Sequence, residues 1–161
     1  MEASTVHPER KRLRIDGFDY SQRGYVYFAT LCARGRGFRL DSPPLATHIV
    51  ECIHWLRENG RWKVYCFCLM SDHLHLAVSV GESGRSLCDT ISSFKKWTTK
   101  KAWELGLQGK LWQHSWYDHV ARMEEDLLAI CEYILQNPVR RGLVEEQGQW
   151  AYSGMPDPLP L

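Results

Sequence analysis

Hydrophobic and polar positions alternate with the period of a strand near the middle of the chain. Within CFCLMSDHLHLAVSV, residues 66–80, leucine and valine occupy every second position from Leu74 onwards. Because successive side chains of a strand point to opposite faces, these aliphatic residues share one face, and His73 and His75 share the other. We therefore predict a strand over His73–Val80 with an apolar core face and two imidazoles on the opposite face, their Cα atoms about 6.5–7 Å apart.

Other periodic segments predict the elements on either side of this strand. Runs of aromatic and β-branched residues indicate strands, and apolar residues at intervals of three and four indicate helices. The predicted strands are 23–35, 61–70, 73–80 and 110–122, and the predicted helices are about 45–58, 86–105 and 124–137, the second of which Ser86 can cap. The order β-α-β-β-α-β predicts an α+β fold, a ferredoxin-like split βαβ sheet with an added C-terminal helix. The predicted organisation is a basic N-terminal arm (1–19), a single domain (20–153) and a mobile tail (154–161).

Each predicted helix has one apolar stripe, which is expected to face the core. At 100° per residue the stripes are Ile49, Cys52, Ile53 and Leu56 in the first helix, Leu87, Ile91, Phe94, Ala102 and Leu105 in the second, and Leu127, Leu128, Cys131, Ile134 and Leu135 in the third. Tyr133 lies about 150° from the centre of the third stripe, so packing on that core does not explain it. Asn137 follows one turn later on the same side, so one helix is expected to offer a phenol and an amide close together.

The overall composition predicts one soluble domain. The 161 residues are 44% hydrophobic and 24% charged, which is ordinary for a globular protein. No apolar run approaches the ~20 residues that cross a bilayer, and the N-terminal segment lacks the apolar stretch of a secretory signal. Six cysteines without such a signal indicate reduced thiols, which predicts a cytoplasmic protein with no membrane partner.

Positive charge is unevenly distributed, although the formal net charge is only +1. The segment 10–40 has eight Lys/Arg against two Asp, and the segment 94–103 has four Lys and no acid. Such segregation is typical of a surface that meets an anion such as nucleic acid, a patchy solvated surface being the alternative. Trp97 and Trp103 are candidates either for stacking on unpaired bases or for core packing. The residues predicted to contact DNA are Arg10, Lys11, Arg12 and Arg14 of the arm and Lys95, Lys96 and Lys100 of the second helix.

The His-x-His pair alone admits more than one interpretation. Two imidazoles at this spacing can bind one metal ion, and they can equally be a packed or an exposed pair. Cys66 and Cys68 would add zinc ligands, but Cys-x-Cys-x₄-His-x-His is not a usual zinc spacing. Val64, Cys66, Cys68 and Met70 are instead predicted to form one apolar strand face.

A family resemblance makes the interpretation more specific. From about Tyr25 to Ser153 the chain resembles the Y1 (IS200-like) family of HUH transposases, and within it the REP-associated tyrosine transposases of bacteria. The matching segments are MSDHLHLAV, SFKKWTTKKAW, LWQHSWYDHVAR and EEDLLAICEYILQNPVRRGLV. Ser71-Asp72 stands where many relatives have Pro-Asn.

The resemblance implies a role for particular residues. His73, His75 and Asn137 would bind a divalent metal, Mg²⁺ or Mn²⁺, and Tyr133 would be the nucleophile. The implied activity is that of a metal-dependent single-stranded DNA endonuclease and strand transferase, cutting at REP-like hairpins through a 5′-phosphotyrosine. The expected partner is single-stranded or hairpin DNA, bound by a monomer or a homodimer that is nucleoid-associated when on DNA.

Three questions stay open after the resemblance. The group that accepts the phenolic proton is not assigned; His114 and His119 are candidates, and each also suits a core or surface position. A non-catalytic hairpin-binding protein derived from a transposase is a rival function, although the intact site residues argue against it. A metal-dependent nuclease that uses water is another rival, which would need an acidic or third imidazole ligand and would leave no covalent adduct.

Overall fold

The fold is an antiparallel sheet with helices on both faces, in a computed structural model that describes residues 24–35, 37–121 and 124–160. The strands are β1 (Val26–Cys32), β2 (Trp62–Leu69), β3 (His73–Val80), β4 (Tyr117–Ala121) and β5 (Ser153–Gly154), in the order β4-β1-β3-β2-β5. The helices are α1 (Pro43–Glu58), α2 (Leu87–Glu104), α3 (Glu124–Leu135) and α4 (Asn137–Arg140). The first four strands have the order of a ferredoxin-like sheet, so the predicted α+β fold is confirmed.

Strand β3 lies between β1 and β2, and its alternation decides what each face of the sheet holds. Leu74 and Leu76 are fully buried in the core that the sheet forms with α1 and α2. Trp62 ties β2 to α1 in this core, because its indole Nε1 donates a hydrogen bond to the Ile53 carbonyl at 3.0 Å. The face of β3 opposite the histidines is therefore fixed by packing.

The ends of α2 follow from its sequence. The Ser86 hydroxyl accepts a hydrogen bond from the Asp89 N–H at 3.1 Å, which caps the first turn as predicted. The predicted core position of Leu105 is wrong: the residue is 43% exposed, because α2 ends at Glu104 and Leu105 already belongs to its C-terminal cap. Trp97 and Trp103 are also exposed, so the core does not account for either indole.

Helix α3 covers part of the opposite face of the sheet. Leu127, Cys131 and Ile134 pack in a second core with Cys66 and Met70 of the β2 end. The prediction that Leu128 belongs to this core is wrong. Its side chain is 49% exposed, because the stripe that meets the strands is narrower than the run of apolar residues in α3.

A β-bulge in β2 changes which residues share a face. The register with β3 shifts between Val64 and Cys66, where Tyr65 is the extra residue. Val64 packs in the core with α1 and α2, whereas Cys66 and Cys68 pack under α3. The predicted common face of Val64 with the cysteines is therefore wrong, since one extra residue reverses the alternation.

The C-terminal segment, which the sequence predicts as a mobile tail, is docked on the sheet. Strand β5 pairs with Phe67 and Cys68 of β2. Beyond it, the Asp157 N–H donates to the Val64 carbonyl at 2.9 Å, and the Asp157 carboxylate accepts from the Val64 N–H at 2.7 Å. The same carboxylate forms an ion pair with Arg57 of α1 at 2.9 Å, so the segment joins the edge strand to a helix.

A break separates the segments that carry Tyr133 and Asn137. Helix α3 ends at Leu135, and after Gln136 the short helix α4 begins at Asn137, with Pro138 in its first turn, where a missing N–H costs no hydrogen bond. The expectation that one continuous helix offers both side chains is therefore wrong.

The basic arm with Arg10, Lys11, Arg12 and Arg14 lies outside the described residues. Among the helices that the structure does describe, none combines the length and apolarity needed to cross a bilayer.

Candidate active site

The two histidines of β3 lie side by side on the face of the sheet that α3 partly covers. The ring centroids of His73 and His75 are 4.5 Å apart, with the ring planes 69° to each other. The His75 ring also stacks on Phe28 of β1, at 5.4 Å between centroids. Strand geometry places both imidazoles on one face, and the neighbouring strand then restricts their orientation.

One ring nitrogen of each histidine is held by a neighbouring side chain. The His75 Nδ1 lies 2.9 Å from the hydroxyl oxygen of Thr30. Thr30 is the residue of β1 directly opposite His75 in the β1–β3 pairing. The His73 Nδ1 lies 2.7 Å from a carboxylate oxygen of Asp72. Partners of this kind fix the orientation of an imidazole and leave Nε2 to act as the ligand atom, the arrangement found around protein-bound metals.

Asn137 completes the group from the first residue of α4. Its side chain is buried, and its amide Nδ2 lies 3.0 Å from His73 Nε2. A half-turn of the amide would direct its oxygen to the same place. The His73 imidazole and the Asn137 amide therefore meet between β3 and α4, with the His75 ring beside them.

The electrostatic surroundings keep His75 neutral. Burial, followed by the charge that His73 carries when protonated and by the charge of Arg140, lowers the pKa of His75 to about 3. Burial alone would raise the pKa of Asp72, but its hydrogen bond with His73 and the charges of His73 and Arg141 together more than offset this, so the pKa of Asp72 is lowered. A neutral imidazole is the form that binds a metal ion, and an ionised Asp72 strengthens His73 as a donor.

Tyr133 stands at the edge of this group. Its side chain is 55% exposed, which agrees with its predicted position away from the core stripe, and its ring centroid lies 6.3 Å from that of His75. The guanidinium carbon of Arg140 lies 4.2 Å from the centroid of the Tyr133 ring, and Arg140 Nη2 donates to the Tyr133 carbonyl at 2.9 Å. The exposed phenol is thus open to a large substrate while an arginine covers its ring.

The side chains of His73, His75 and Asn137 are of types that fit a divalent cation. Both Nδ1 atoms are held by neighbouring side chains, His73 Nε2 lies against the Asn137 amide, and the His75 ring lies next to that of His73. In the part of the chain that the structure describes, no three His, Cys, Asp or Glu side chains cluster in a way that could hold a metal. Burial raises the pKa of the nearby Cys68 thiol to about 12, and Cys66 and Cys68 pack in the second core under α3, as apolar side chains do.

The match to known sequences falls on the elements that carry these residues. Residues 22–137 match the family described as Transposase IS200 like, a span that contains both histidines, the tyrosine and the asparagine. The chain belongs to the IS200-like transposase family. The span covers most of the 161 residues.

This IS200-like chain is similar to several named proteins. A Haemophilus influenzae protein named among the REP-associated tyrosine transposases is 26% identical over 148 residues, which cover 81% of this chain and 80% of that protein. The REP-associated tyrosine transposase of Escherichia coli K12 is 22% identical over 134 residues, covering 83% and 78%. A solved structure of a REP-associated tyrosine transposase bound to a REP hairpin has a TM-score of 0.68 at 21% identity, covers 87% of this chain and 82% of that one, and shows that the fold is shared.

The other predicted site residues of this IS200-like transposase lie elsewhere. Lys96 and Lys100 are exposed on α2, on the far side of the sheet from the histidines. The Lys95 ammonium instead donates to the carbonyls of Gln113 and His114, at 2.9 and 3.2 Å, so it ties α2 to the segment before β4. The side chain of His119 lies outside the described part of the chain.

Three residues of the site were not identified from the sequence. Thr30 and Asp72 hold the histidines, and Arg140 covers the tyrosine. Asp72 precedes His73 directly, and Arg140 lies one helical turn after Asn137, so the sequence contained a signal for both. The role of Thr30 depends on the register of β1 against β3, which no local pattern reveals.

Proposed function

We propose that this chain is a metal-dependent single-stranded DNA endonuclease and strand transferase that cuts at hairpin DNA through a covalent phosphotyrosine. The observation that carries the proposal is the meeting of His73, His75 and Asn137 beside the exposed phenol of Tyr133. Membership of a transposase family and the hairpin bound to the similar solved structure support the same conclusion.

The three ligand residues would hold Mg²⁺ or Mn²⁺ without adding negative charge. When bound, such an ion neutralises a phosphate and favours in-line attack on its phosphorus. Two neutral imidazoles and an amide leave the charge of the ion available to the DNA, whereas carboxylate ligands would reduce it. Thr30 and Asp72 hold the two Nδ1 atoms, which leaves each Nε2 available as the ligand atom.

Tyr133 would supply the nucleophile. Its phenolic oxygen loses a proton and attacks the scissile phosphorus, a new P–O bond forms to the tyrosine, and the bond to the 3′ oxygen breaks. The 3′ oxygen takes up a proton, and the 5′ end of the downstream strand stays linked to the protein. The 3′-OH of another strand can attack the phosphotyrosine in the reverse sense, so strand transfer needs no ATP.

A covalent adduct is the decisive test. The unaltered protein is incubated with a hairpin oligonucleotide labelled at its 3′ end, in Mn²⁺, and resolved on an SDS gel. We expect a labelled protein band that EDTA prevents and protease removes. Tyr133→Phe should bind the hairpin as before and give no band, whereas the matched control Tyr152→Phe, outside the site, should give the band.

The same gel separates the rival functions. Cleavage without any labelled protein band would favour a nuclease that uses water. Binding without cleavage in the unaltered protein would favour a non-catalytic hairpin-binding protein, and a band from Tyr133→Phe equal to that of the unaltered protein would exclude Tyr133 as the nucleophile.

A further inference from the structure

Tyr133, the proposed nucleophile, is exposed, although attack on a phosphate needs a precisely placed phenol. Tyr133 is 55% exposed, and a side chain on a helix surface can occupy several staggered rotamers. An attacking group that is misplaced by about 1 Å loses about 100-fold in rate. A contact with a neighbouring residue must therefore restrict the phenol.

Arg140 is the residue that makes this contact. Its guanidinium carbon lies 4.2 Å from the centroid of the Tyr133 ring, and its Nη2 donates to the Tyr133 carbonyl at 2.9 Å. One side chain thus contacts both the ring and the main chain of the same tyrosine. Arg140 belongs to α4, whose first residue, Asn137, contacts His73, so a single turn links the nucleophile to the histidine pair.

Within the part of the chain that the structure describes, Arg140 uses little of its hydrogen-bonding capacity. A guanidinium has five N–H donors, and among the described residues only the Nη2 bond to Tyr133 occupies one of them. No carboxylate of the described residues forms an ion pair with Arg140, whereas Arg39 and Arg57 each have one. An exposed cation with free donors beside a nucleophile suits a phosphate, which a planar guanidinium binds through two parallel hydrogen bonds.

We propose that Arg140 is a positioning residue that holds the Tyr133 ring for attack and binds an oxygen of the phosphate that Tyr133 attacks. This inference rests on the proposed function. In the attack, the N–H donors of Arg140 stay bound to the phosphate while the bond to phosphorus passes from the 3′ oxygen to the phenolic oxygen. Arg140 neither gives nor takes a proton.

A purely structural role predicts something different. The Tyr133 carbonyl is in the last turn of α3, where carbonyls lack helical partners, so Arg140 could act only as a cap. Its loss would then lower the melting temperature and leave the chemical step of the folded protein unchanged.

Single-turnover kinetics distinguish the two roles. Adduct formation is followed at saturating hairpin DNA and Mn²⁺ in Arg140→Gln, Arg140→Lys and the matched control Arg141→Gln, which removes the same charge from the next residue. Arg141 is exposed, and its guanidinium makes no hydrogen bond with the described residues. We expect a loss of about 100-fold in Arg140→Gln, a partial loss of about 10-fold in Arg140→Lys, which keeps the charge without the planar fork, and a change within about twofold in Arg141→Gln.

A second measurement tests the positioning without DNA. In protein labelled with 3-fluorotyrosine, the ¹⁹F resonance of Tyr133 is assigned among the seven tyrosines by its absence in Tyr133→Phe. It should shift and change width in Arg140→Gln and stay in place in Arg141→Gln.

Each contrary result has a separate meaning. Equal adduct rates in Arg140→Gln and Arg141→Gln, or an unmoved ¹⁹F resonance, would overturn the inference and leave the proposed function standing. Failure of the unaltered protein to form adduct would remove the proposed function, and with it the phosphate contact.

Discussion

The two faces of the sheet are covered to different extents. On one face, α1 and α2 enclose β3 so completely that Leu74 and Leu76 have no exposed surface. On the other face, α3 covers only part of the strands, and next to it the histidines are partly accessible and Tyr133 is mostly exposed. Adjacent residues of a single strand therefore belong to two environments. Stability is concentrated on one face and the proposed chemistry on the other, so each should respond to its own substitutions.

The largest expected effect is on the open face of the sheet, the face that carries the histidines and that α3 only partly covers. His75→Ala should lower adduct formation by about 1,000-fold or more, because several kcal/mol of charge stabilisation depend on the metal ligand. The substitution removes the stacking of the His75 ring on Phe28 and its hydrogen bond to Thr30. The free energy of unfolding should therefore fall only modestly, by about 1 kcal/mol. Urea unfolding and the SDS gel measure the two effects. An unfolded variant would show that the histidine is structural.

The neighbouring position on the enclosed face should give the opposite result. Leu76→Ala should lower the free energy of unfolding by about 2–5 kcal/mol, the usual cost of a cavity at a fully buried leucine. The fraction that stays folded should form adduct at the unaltered rate. A loss of activity greater than the unfolded fraction would mean that the two faces are coupled.

A smaller effect should follow from the partner of His75. Thr30→Val keeps the shape of the side chain but removes the hydroxyl that holds Nδ1. Mn²⁺ affinity, measured by titration calorimetry, should fall about 10- to 100-fold, and saturating Mn²⁺ should restore adduct formation. Thr47→Val, at an exposed position of α1, is the control. Equal Mn²⁺ affinities in the two variants would assign the hydroxyl no role.

The docked C-terminal segment should contribute a pH-dependent stability. Burial alone would raise the pKa of Asp157, but hydrogen bonds from Arg57 and from the Val64 N–H more than offset it, so the pKa is lowered. A carboxyl with a lowered pKa stabilises the fold at pH values above the unfolded pKa of about 3.9, and that stability is lost as the pH falls. Asp157→Asn should therefore be less stable by about 1 kcal/mol at pH 7, and the difference should shrink toward pH 3. A difference that does not change with pH would contradict this account.

The smallest expected effect concerns the lysines of α2. If Lys96 and Lys100 each contact a phosphate, replacing both with alanine should reduce the slope of log affinity against log salt by about 1.4 for a single strand. Replacing Lys63, exposed on β2, is the control. An unchanged slope would mean that Lys96 and Lys100 contact no phosphate and that the exposed face of α2 meets only solvent.

The sequence predicted best what depends on local period. The alternation over His73–Val80 and the Ser86 cap needed no knowledge of distant residues, and both agree with the structure. The errors at Leu105 and Leu128 have another origin, since a helical stripe shows which residues can be buried but not where the covering element ends. The error about the common face of Val64 and the cysteines has a similar origin, because the extra residue at Tyr65 is recognised only from the pairing of β2 with its neighbouring strand.

The site was only partly predictable for related reasons. The helical period singled out Tyr133 and Asn137 and the family resemblance supplied their roles, but the break at Gln136, which buries one and exposes the other, depends on packing. Thr30 and Arg140 act through contacts between segments that are remote in sequence or separated by a helix end. Such contacts exist only once the chain has folded.

The docked C-terminal segment has a consequence for how copies of this chain meet. Strand β2 would otherwise be a sheet edge, with a row of unsatisfied N–H and carbonyl groups on which a foreign strand could grow. Strand β5 and Asp157 occupy those groups at Phe67, Cys68 and Val64. The segment that joins α1 to β2 therefore also protects the protein from edge-to-edge aggregation. A chain shortened before Ser153 should expose the edge of β2 and aggregate more readily.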